Sequence, residues 1–138
     1  MFNKILLASD GSEHAIRAAD NAIALARNIH AKITIAYVVD IKKSKANVLH
    51  NRNSICVERN RKELLMLTEQ KMKRENVKYE VKILSGEAGP TIVKYANEND
   101  VDICVIGSRG LHSLQEMVLG SVSHKVAKRV ACPVMIVK

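Results

Sequence analysis

The sequence is poor in aromatic residues: phenylalanine, tyrosine and tryptophan together make up 3% of its 138 residues, and tryptophan is absent. Single-stranded nucleic acids are commonly bound by stacking their bases on aromatic rings, so this composition argues against that class of protein. The core must instead be built from isoleucine, valine, leucine and alanine. An apolar fraction of 47% and a charged fraction of 26% are ordinary for a globular domain.

Long apolar runs and paired cysteines are absent as well. No apolar run approaches the ~20 residues that span a bilayer, and Met1–Lys4 leads directly into a predicted strand without a signal peptide. The three cysteines, Cys56, Cys104 and Cys132, form no Cys-x-x-Cys pair, which favours reduced thiols. We therefore expect a single cytoplasmic domain over residues 1–138, with no membrane partner.

Positive charge is present in excess, with a formal net charge of +8. Twelve of the 22 basic residues lie between Lys42 and Lys82, among only five acidic residues. Such a patch can attract nucleic acid or an acidic partner, and it can equally be a solvated helix face next to a loop. We favour the second interpretation and do not expect nucleic acid as a partner.

Predicted strands and helices alternate along the chain. The strands are predicted at Ile5–Ala8, Lys32–Val39, Tyr79–Leu84, Asp102–Ile106 and Val134–Val137, and the helices at Glu13–Asn28, Cys56–Arg74, Pro90–Glu98 and Val122–Val130. This alternation predicts right-handed βαβ crossovers. The expected fold class is therefore α/β, with a parallel sheet that is covered by helices on both faces.

Apolar side chains recur at three- and four-residue steps in the first two helices. The residues predicted to face inward are Ala15, Ala19, Ala22, Ile23 and Ala26 in the first helix and Leu64, Leu67 and Met72 in the second. Pro90 is expected at the first position of the third helix. Ile41–Ser54 lacks a clear periodicity and is expected to be a loop.

A glycine-rich stretch follows the fourth strand and leads into the fourth helix. Two residues separate Gly107 from Gly110, and nine more precede Gly120 and Ser121. Glycine lets a ligand approach the main chain closely, and a helix N-terminus offers unpaired N–H groups to an anion. The spacing matches neither the Walker A loop nor the dinucleotide fingerprint. The stretch therefore predicts a phosphate site, although such glycines can also serve only as turns and caps.

This spacing resembles the nucleotide-binding motif of the universal stress protein family, Gly-2x-Gly-9x-Gly-(Ser/Thr), which marks its ATP-binding subgroup. The resemblance extends over the whole chain, from Lys4–Ser12 to Cys132–Val137. It implies a Rossmann-like, five-stranded parallel sheet with the strand order 3-2-1-4-5. Ligands of such sheets bind beyond the carboxyl ends of the strands where the order reverses, which here is between strands one and four.

The residues around this reversal point suggest a binding role for each part of a nucleotide. Phosphates are expected at main-chain amides and hydroxyls of Gly110, Gly120, Ser121, Val122 and Ser123. Arg109 can add a charge-assisted contact to a phosphate. Asp10 can accept hydrogen bonds from ribose hydroxyls, or it can simply cap a turn.

The family resemblance adds residues that would contact the base and the sugar. It implies that the main chain of Val38 reads the edge of adenine, that Ala8 and Ile106 form walls around the base, and that Gly107 lies against the sugar. Many ATP-binding members have proline or valine at the position of Ala8. Alanine there weakens the wall slightly without closing the site.

The sequence pattern predicts no dedicated metal-ligating residue. Mg²⁺ is expected only together with ATP, held by the phosphates and a carboxylate such as Asp10. The five histidines show no metal-ligand spacing. His112 and His124 flank the phosphate region, and we interpret them as surface or capping residues.

The resemblance implies a small homodimer that binds ATP or AMP and assists survival under stress. Val134–Val137 is almost wholly apolar and is expected at a sheet edge, so we expect it to pair with a second copy. The first hypothesis for function is a nucleotide-dependent regulator that binds ATP, AMP or ADP.

Two alternative functions are a slow ATPase or self-phosphorylating enzyme that uses Ser121 or Ser123, and an interaction protein that uses the basic loop Lys42–Arg61. Phosphoryl transfer needs a positioned metal, a group that orients water and stabilisation of charge. The sequence offers a phosphate cradle without a convincing base. We therefore predict no catalytic residue.

Overall fold

The computed structural model describes residues 3–9, 13–39, 52–108 and 120–138. Within these ranges, five strands alternate with four helices. The elements are β1 (Lys4–Ser9), α1 (Glu13–Ile29), β2 (Lys32–Val39), α2 (Arg52–Arg74), β3 (Tyr79–Ser85), α3 (Ala88–Glu98), β4 (Ile103–Gly107), α4 (Ser121–Arg129) and β5 (Val134–Val137). None of the helices in these ranges has both the length and the apolar character needed to cross a membrane.

The five strands form one parallel sheet with the order β3-β2-β1-β4-β5, which confirms the predicted fold class and strand order. Ala8 of β1 is the register partner of Ala36 in β2 and of Ile106 in β4. Ile106 in turn lies opposite Ile136 in β5. Because all strands run in one direction, their carboxyl ends share one edge of the sheet, and the predicted site residues of β1 and β4 are neighbours there.

The central strands are buried on both faces of the sheet. Ile5 and Leu7 of β1 pack with the alanines of α1 and with Met72 of α2 on one face. Leu6 and Ala8 alternate with them and pack with Ile92 of α3 and Val126 of α4 on the other. Since every side chain of such a strand is covered, the apolar run is continuous rather than alternating.

The inward face of α1 is formed by alanines, as predicted. The five predicted residues are buried, and Ala18 joins them. Small side chains bring the helix close to the sheet. A Cβ placed on Gly107 of β4 would lie 3.1 Å from the main-chain oxygen of His14 in the first turn of α1. The end of β4 therefore needs glycine because α1 packs directly against it.

The predicted inward face of α2 is partly wrong. Met72 is fully buried and Leu65 packs against the core, but Leu67 is 47% exposed. Thr68, one turn after Leu65, is buried instead, because its hydroxyl donates to the main-chain oxygen of Leu64 at 3.0 Å. A threonine can face a core when its hydroxyl is hydrogen-bonded within its own helix. The inward face of α2 therefore includes a polar residue, Thr68, between Leu65 and Met72.

Two predicted element boundaries also differ from the structure. α2 begins at Arg52, so residues 52–54 of the predicted loop Ile41–Ser54 are helical, while residues 41–51 lie outside the described ranges. α3 begins at Ala88, which makes Pro90 its third residue rather than its first. The first-turn amides of a helix have no acceptor within it, so proline is tolerated throughout that turn.

Three helices end in residues with left-handed backbone that are not glycine. His30, Asn76 and Asp100 have φ angles of 53°, 55° and 52° and follow α1, α2 and α3. After α1 and α2, the next residue donates its N–H back to the helix, from Ala31 to Ala26 and from Val77 to Met72, at 3.1 Å each. These left-handed ends turn the chain back into the following strand.

Candidate functional site

A pocket opens at the carboxyl ends of the strands, where β1, β2 and β4 end near the first turns of α3 and α4. Its lining residues are Ala8, Ser9, Ala15, Val38, Ala88, Ile92, Ile106, Gly107, Val122 and Ser123. Six of the eleven predicted site residues are among them. Topology and sequence motif therefore place one pocket at the point where the strand order reverses.

The inner part of this pocket is an apolar slot. Ala8 and Ile106 lie side by side on adjacent strands, and both are almost fully buried. Ile92 of α3 packs with them, and Val38 lies at the end of β2. Flat apolar walls with a short side chain at Ala8 leave room for a ring system and provide the contact area that a heterocyclic base requires.

The outer part of the pocket is the N-terminus of α4. Gly120 precedes the helix with a φ of −58° and a ψ of 150°, and as a glycine it has no side chain with which to cap the helix. Its own N–H donates to the main-chain oxygen of Ser108 at 2.8 Å, and the N–H of His124 donates to the oxygen of Gly120 at 2.9 Å. The N–H groups of the three intervening residues, 121–123, have no acceptor within the helix, which is the arrangement that binds anions at helix N-termini.

Ser123 has a structural role at this helix end. Its side chain is buried, and its hydroxyl donates to the main-chain oxygen of Gly107 at 2.5 Å. This bond fixes the first turn of α4 to the end of β4. The proton of this predicted phosphate-binding hydroxyl is therefore committed to Gly107, and Ser123 positions the helix amides.

Ser108 fixes the same helix from the main chain, and the sequence reasoning missed it. Its N–H donates to the oxygen of Val137 at the end of β5 at 2.7 Å, while its oxygen accepts from Gly120. Ser9, Ala15, Ala88 and Ile92 were also missed as lining residues. Ala15 and Ile92 carried a usable signal, because each is an apolar residue of a predicted helix.

The electrostatics differ between the carboxyl ends and the amino ends of the strands. None of the ten residues that line the pocket within the described ranges is charged. The carboxylates with perturbed pKa values lie at the opposite edge: the main-chain N–H groups of Lys4 and Asn3 hold the pKa of Asp102 below its ordinary 3.8, and a hydrogen bond from Lys32 lowers that of Glu80. The described lining therefore offers main-chain donors and apolar walls, and no general base.

One buried thiol lies beneath the apolar slot. Cys104 of β4 packs with Leu6 and Ala36, and burial raises its pKa to about 12. A thiol with this pKa stays protonated at neutral pH and is a weak nucleophile. Cys104 is therefore a core residue and not part of the chemistry of the pocket.

The remaining predicted site residues lie partly or wholly outside the described ranges. Asp10, Arg109 and Gly110 belong to the residues that the structure does not describe, and Ser121 is described only as the first residue of α4. Among the side chains that are described, no group of three or more histidine, cysteine, aspartate or glutamate residues comes together in a way that could hold a metal ion.

Known proteins share both the sequence and this architecture. The sequence model of the universal stress protein family matches residues 1–138. Universal stress protein YxiE of Bacillus subtilis is 38% identical over 148 residues, with 100% of each chain covered. The chain therefore belongs to the universal stress protein family.

Solved structures of similar proteins have the same fold. The structure of MJ0577, a universal stress protein of Methanocaldococcus jannaschii, matches with a TM-score of 0.83 at 29% identity, covering 100% of this chain and 96% of that one. A universal stress protein solved in complex with cAMP matches with a TM-score of 0.72 at 25% identity, covering 99% and 96%. The second of these is a nucleotide complex on this fold.

Proposed function

We propose that this protein binds an adenine nucleotide, with ATP as the principal ligand and AMP or ADP as alternatives, and acts as a nucleotide-dependent regulator in the cytoplasmic stress response. One observation carries the proposal: a buried apolar slot opens directly onto the N–H groups of a helix N-terminus, which have no acceptor within their own helix, in a single pocket. An adenine nucleotide has the same division, since a flat heterocycle is joined to an anionic tail. The similar protein solved with cAMP supports this choice.

Each part of the nucleotide has a partner in the proposed complex. The base lies over Ala8 and Ile106, and the main chain at Val38 reads its polar edge. The phosphates lie over the first turn of α4, where the helix dipole and the amides of Ser121 and Val122 attract negative charge. Ser123 and Gly107 position this turn through their hydrogen bond.

Residues outside the described ranges complete the proposed site. Asp10 follows β1 and is proposed to accept hydrogen bonds from the ribose. Arg109 and Gly110 follow β4 and are proposed to contact the phosphates. With ATP, Mg²⁺ would be held by the phosphates and one carboxylate, for which Asp10 is the candidate.

Binding is favoured over catalysis by the character of the described lining. Phosphoryl transfer requires a residue that orients water or accepts a proton. The described residues of the pocket provide hydroxyl groups and apolar side chains only, and the hydroxyl of Ser123 already donates to Gly107. Slow hydrolysis of ATP is therefore a secondary candidate.

A homodimer is also part of the proposal. β5 is an edge strand of the sheet, and its four residues, Val134–Val137, are apolar and only half-buried in one chain. An apolar edge of this kind is stabilised by pairing with the same strand of a second copy. Sedimentation equilibrium at micromolar concentration tests this, and a mass equal to one chain would exclude it.

The nucleotide site is tested by a charge placed on the first turn of α4. Ser121→Glu puts a carboxylate where the phosphates are proposed to lie, and it leaves the helix stable because a negative charge is favourable at a helix N-terminus. We expect affinity for ATP to fall by about tenfold or more, and affinity for AMP to fall less, since a close like-charge contact costs at least 1.4 kcal/mol. Isothermal titration with ATP, ADP and AMP measures both.

Ser121→Gln is the matched control, because it has the same length without the charge. It should bind ATP within about threefold of the wild type. If Ser121→Glu binds ATP as tightly as Ser121→Gln, the phosphates do not lie at this helix. Gly120→Val provides a second test, because a branched side chain at the helix start obstructs the approach of a phosphate to the amides.

A further inference from the structure

The outer edge of β3 is the second open edge of the sheet, and it lies away from the nucleotide pocket. β3 pairs with β2 on one side, and no other strand pairs with it among the described residues. The N–H of Ile33 in β2 donates to the oxygen of Lys78, and the N–H of Gly86 donates to the oxygen of Val39. These two bonds show that even-numbered residues of this segment direct their main chain towards β2.

Odd-numbered residues of β3 therefore direct their N–H and C=O groups outward, because alternate residues of a strand face opposite neighbours. Tyr79, Val81, Ile83 and Ser85 form this outward-facing row. The row is seven residues long from end to end, which is enough to pair with another extended segment. Strand addition of this kind gains affinity from main-chain hydrogen bonds.

The two faces of this edge differ in chemistry. On the α1 and α2 face, Tyr79 and Val81 pack against the core, and Ile83 follows them with 67% of its surface exposed. On the other face, Leu84 packs with the α3 side of the core. Glu80 and Lys82 precede it on this same face, at every second position of the strand. The edge thus presents an exposed apolar side chain on one face and charged side chains on the other.

The charge on the α3 face is predominantly positive. Glu80 is satisfied within the protein: one oxygen lies 3.2 Å from Nζ of Lys32, and the other accepts from the hydroxyl of Thr34 at 3.2 Å. Lys78 and Lys82 are exposed, and neither forms an ion pair with another residue in the described ranges. Two cations therefore flank the outward main-chain groups, and Glu80 between them is paired mainly with Lys32 and more weakly attracted to Lys82.

A groove runs beside this charged face. α3 packs against β2, and the space between α3 and β3 is lined by Leu84, Ser85, Thr91, Lys94 and Tyr95 among others. Side chains of an added strand would enter this groove at every second position. Lys94 adds a positive charge to the wall of the groove, and Glu98, one helical turn further on, adds a negative charge.

We propose that the β3 edge binds an extended acidic segment of a partner protein by strand addition. In the bound segment, acidic and apolar residues alternate. The acidic side chains lie on the α3 face, opposite Lys78 and Lys82, and the apolar side chains cover Ile83 on the other face. Local charge selects this occupant, because Lys78 and Lys82 attract carboxylates, whereas the β3 edge of a second copy would bring the same two lysines against them. Lysines at a sheet edge disfavour pairing with most other strands. A strand in which acidic residues alternate with apolar residues can pair here, because its carboxylates compensate the charge of the lysines.

The test uses a fluorescently labelled peptide of about eight residues that alternates glutamate with valine, a counterpart with lysine in place of glutamate, and labelled oligo(dT). Fluorescence anisotropy measures the affinity of each for the full chain. We expect the acidic peptide to bind, and the lysine peptide to bind at least about tenfold more weakly.

Ile83→Pro removes one outward N–H without removing a hydrogen bond to β2, and Ile83→Thr is the matched control that keeps this N–H and a β-branched side chain. We expect Ile83→Pro to weaken binding of the acidic peptide by about tenfold and Ile83→Thr by about threefold or less. Circular dichroism and thermal unfolding report whether each variant is folded.

A second pair of variants keeps the test informative if Ile83→Pro does not fold. Lys82→Glu should weaken the acidic peptide and strengthen the lysine peptide, and Lys82→Gln should have an intermediate effect on both. The proposal is overturned if the peptide does not bind, if Ile83→Pro and Ile83→Thr bind it equally while folded, or if both peptides bind alike. Binding of oligo(dT) that exceeds that of the peptide would identify a nucleic-acid surface instead.

Discussion

The two ends of the same sheet are completed in opposite ways. At the amino edge, side chains close the structure: Asp102 accepts hydrogen bonds from the N–H groups of Asn3 and Lys4 at 2.8 and 2.9 Å, and Asn97 accepts from the N–H of Ala131 at 2.9 Å. At the carboxyl edge, the main chain of Gly120 starts a helix without a side-chain cap. Groups satisfied internally give stability, and groups left open can bind a ligand.

The largest expected effect comes from adding a side chain at Gly107, where the end of β4 packs closely against α1. Gly107→Ala places a Cβ at 3.1 Å from the oxygen and 3.2 Å from the Cβ of His14. We expect it to lower the free energy of unfolding by about 1–3 kcal/mol, because α1 must move away from β4. Urea denaturation measures the loss.

His14→Ala is the control for this contact, since alanine keeps all three of the atoms that the new Cβ would meet, the main-chain carbon and oxygen and the Cβ. The double variant Gly107→Ala/His14→Ala should therefore be no more stable than Gly107→Ala. A recovery of stability in the double variant would show that the His14 ring, and not the approach of the helix main chain, restricts Gly107.

A smaller effect is expected from the amino edge, without a change at the pocket. Asn97→Ala removes the acceptor of the Ala131 N–H and should lower the free energy of unfolding by about 1 kcal/mol. Asn97→Asp keeps this acceptor and should recover most of the loss. Titration with ATP should give the wild-type affinity for both variants, and a change in affinity would mean that the two edges are not independent.

The left-handed helix ends at the amino edge offer a gain in stability. His30→Gly removes a Cβ from a residue with a φ of 53° and should raise the free energy of unfolding by about 0.5–1 kcal/mol. Ala24→Gly, at an exposed position inside the same helix, should lower it by about 1 kcal/mol. Thermal unfolding of the two variants should therefore shift in opposite directions.

The smallest expected effect is a dependence on pH at the amino edge. The pKa of Asp102 is lowered in the folded protein, so its contribution to stability is complete above its ordinary pKa of 3.8 and is lost as the pH falls through the lower folded value. Asp102→Asn should flatten the decrease of the unfolding free energy in this range. Equal slopes for the variant and the wild type would contradict the two hydrogen bonds to Asp102.

The elements and their order follow from periodic patterns that packing enforces. The continuous apolar run Ile5–Ala8 indicates a strand covered on both faces, and the alanines of α1 indicate a helix close to the sheet. The order of the strands came from the family resemblance, because no pattern within a strand specifies its neighbours. Six predicted site residues line one pocket because they lie where strands end or helices begin, at the carboxyl ends of the parallel strands.

The sequence-based predictions were wrong or incomplete where a polar residue occupies a position in the core, or where a hydrogen bond joins residues that are distant in the sequence. Leu67 was predicted to face inward, but Thr68 does so because it satisfies its hydroxyl within α2. The bond from Ser123 to Gly107 joins residues 16 positions apart, and the bond from Ser108 to Val137 depends on the packing of β5 beside β4. Such contacts depend on tertiary geometry, which a local sequence pattern does not contain.

The bond between Ser123 and Gly107 also bears on covalent modification. A phosphate ester at Ser123 would remove the donated proton, separate the first turn of α4 from β4 and place a dianion in a buried position beside Ile106. Esterification of this hydroxyl would therefore disrupt the same helix start that presents the amides. If the protein carries a phosphoserine in this region, the acceptor should be Ser121, and a phosphate found at Ser123 would mean that α4 detaches from the sheet during the reaction.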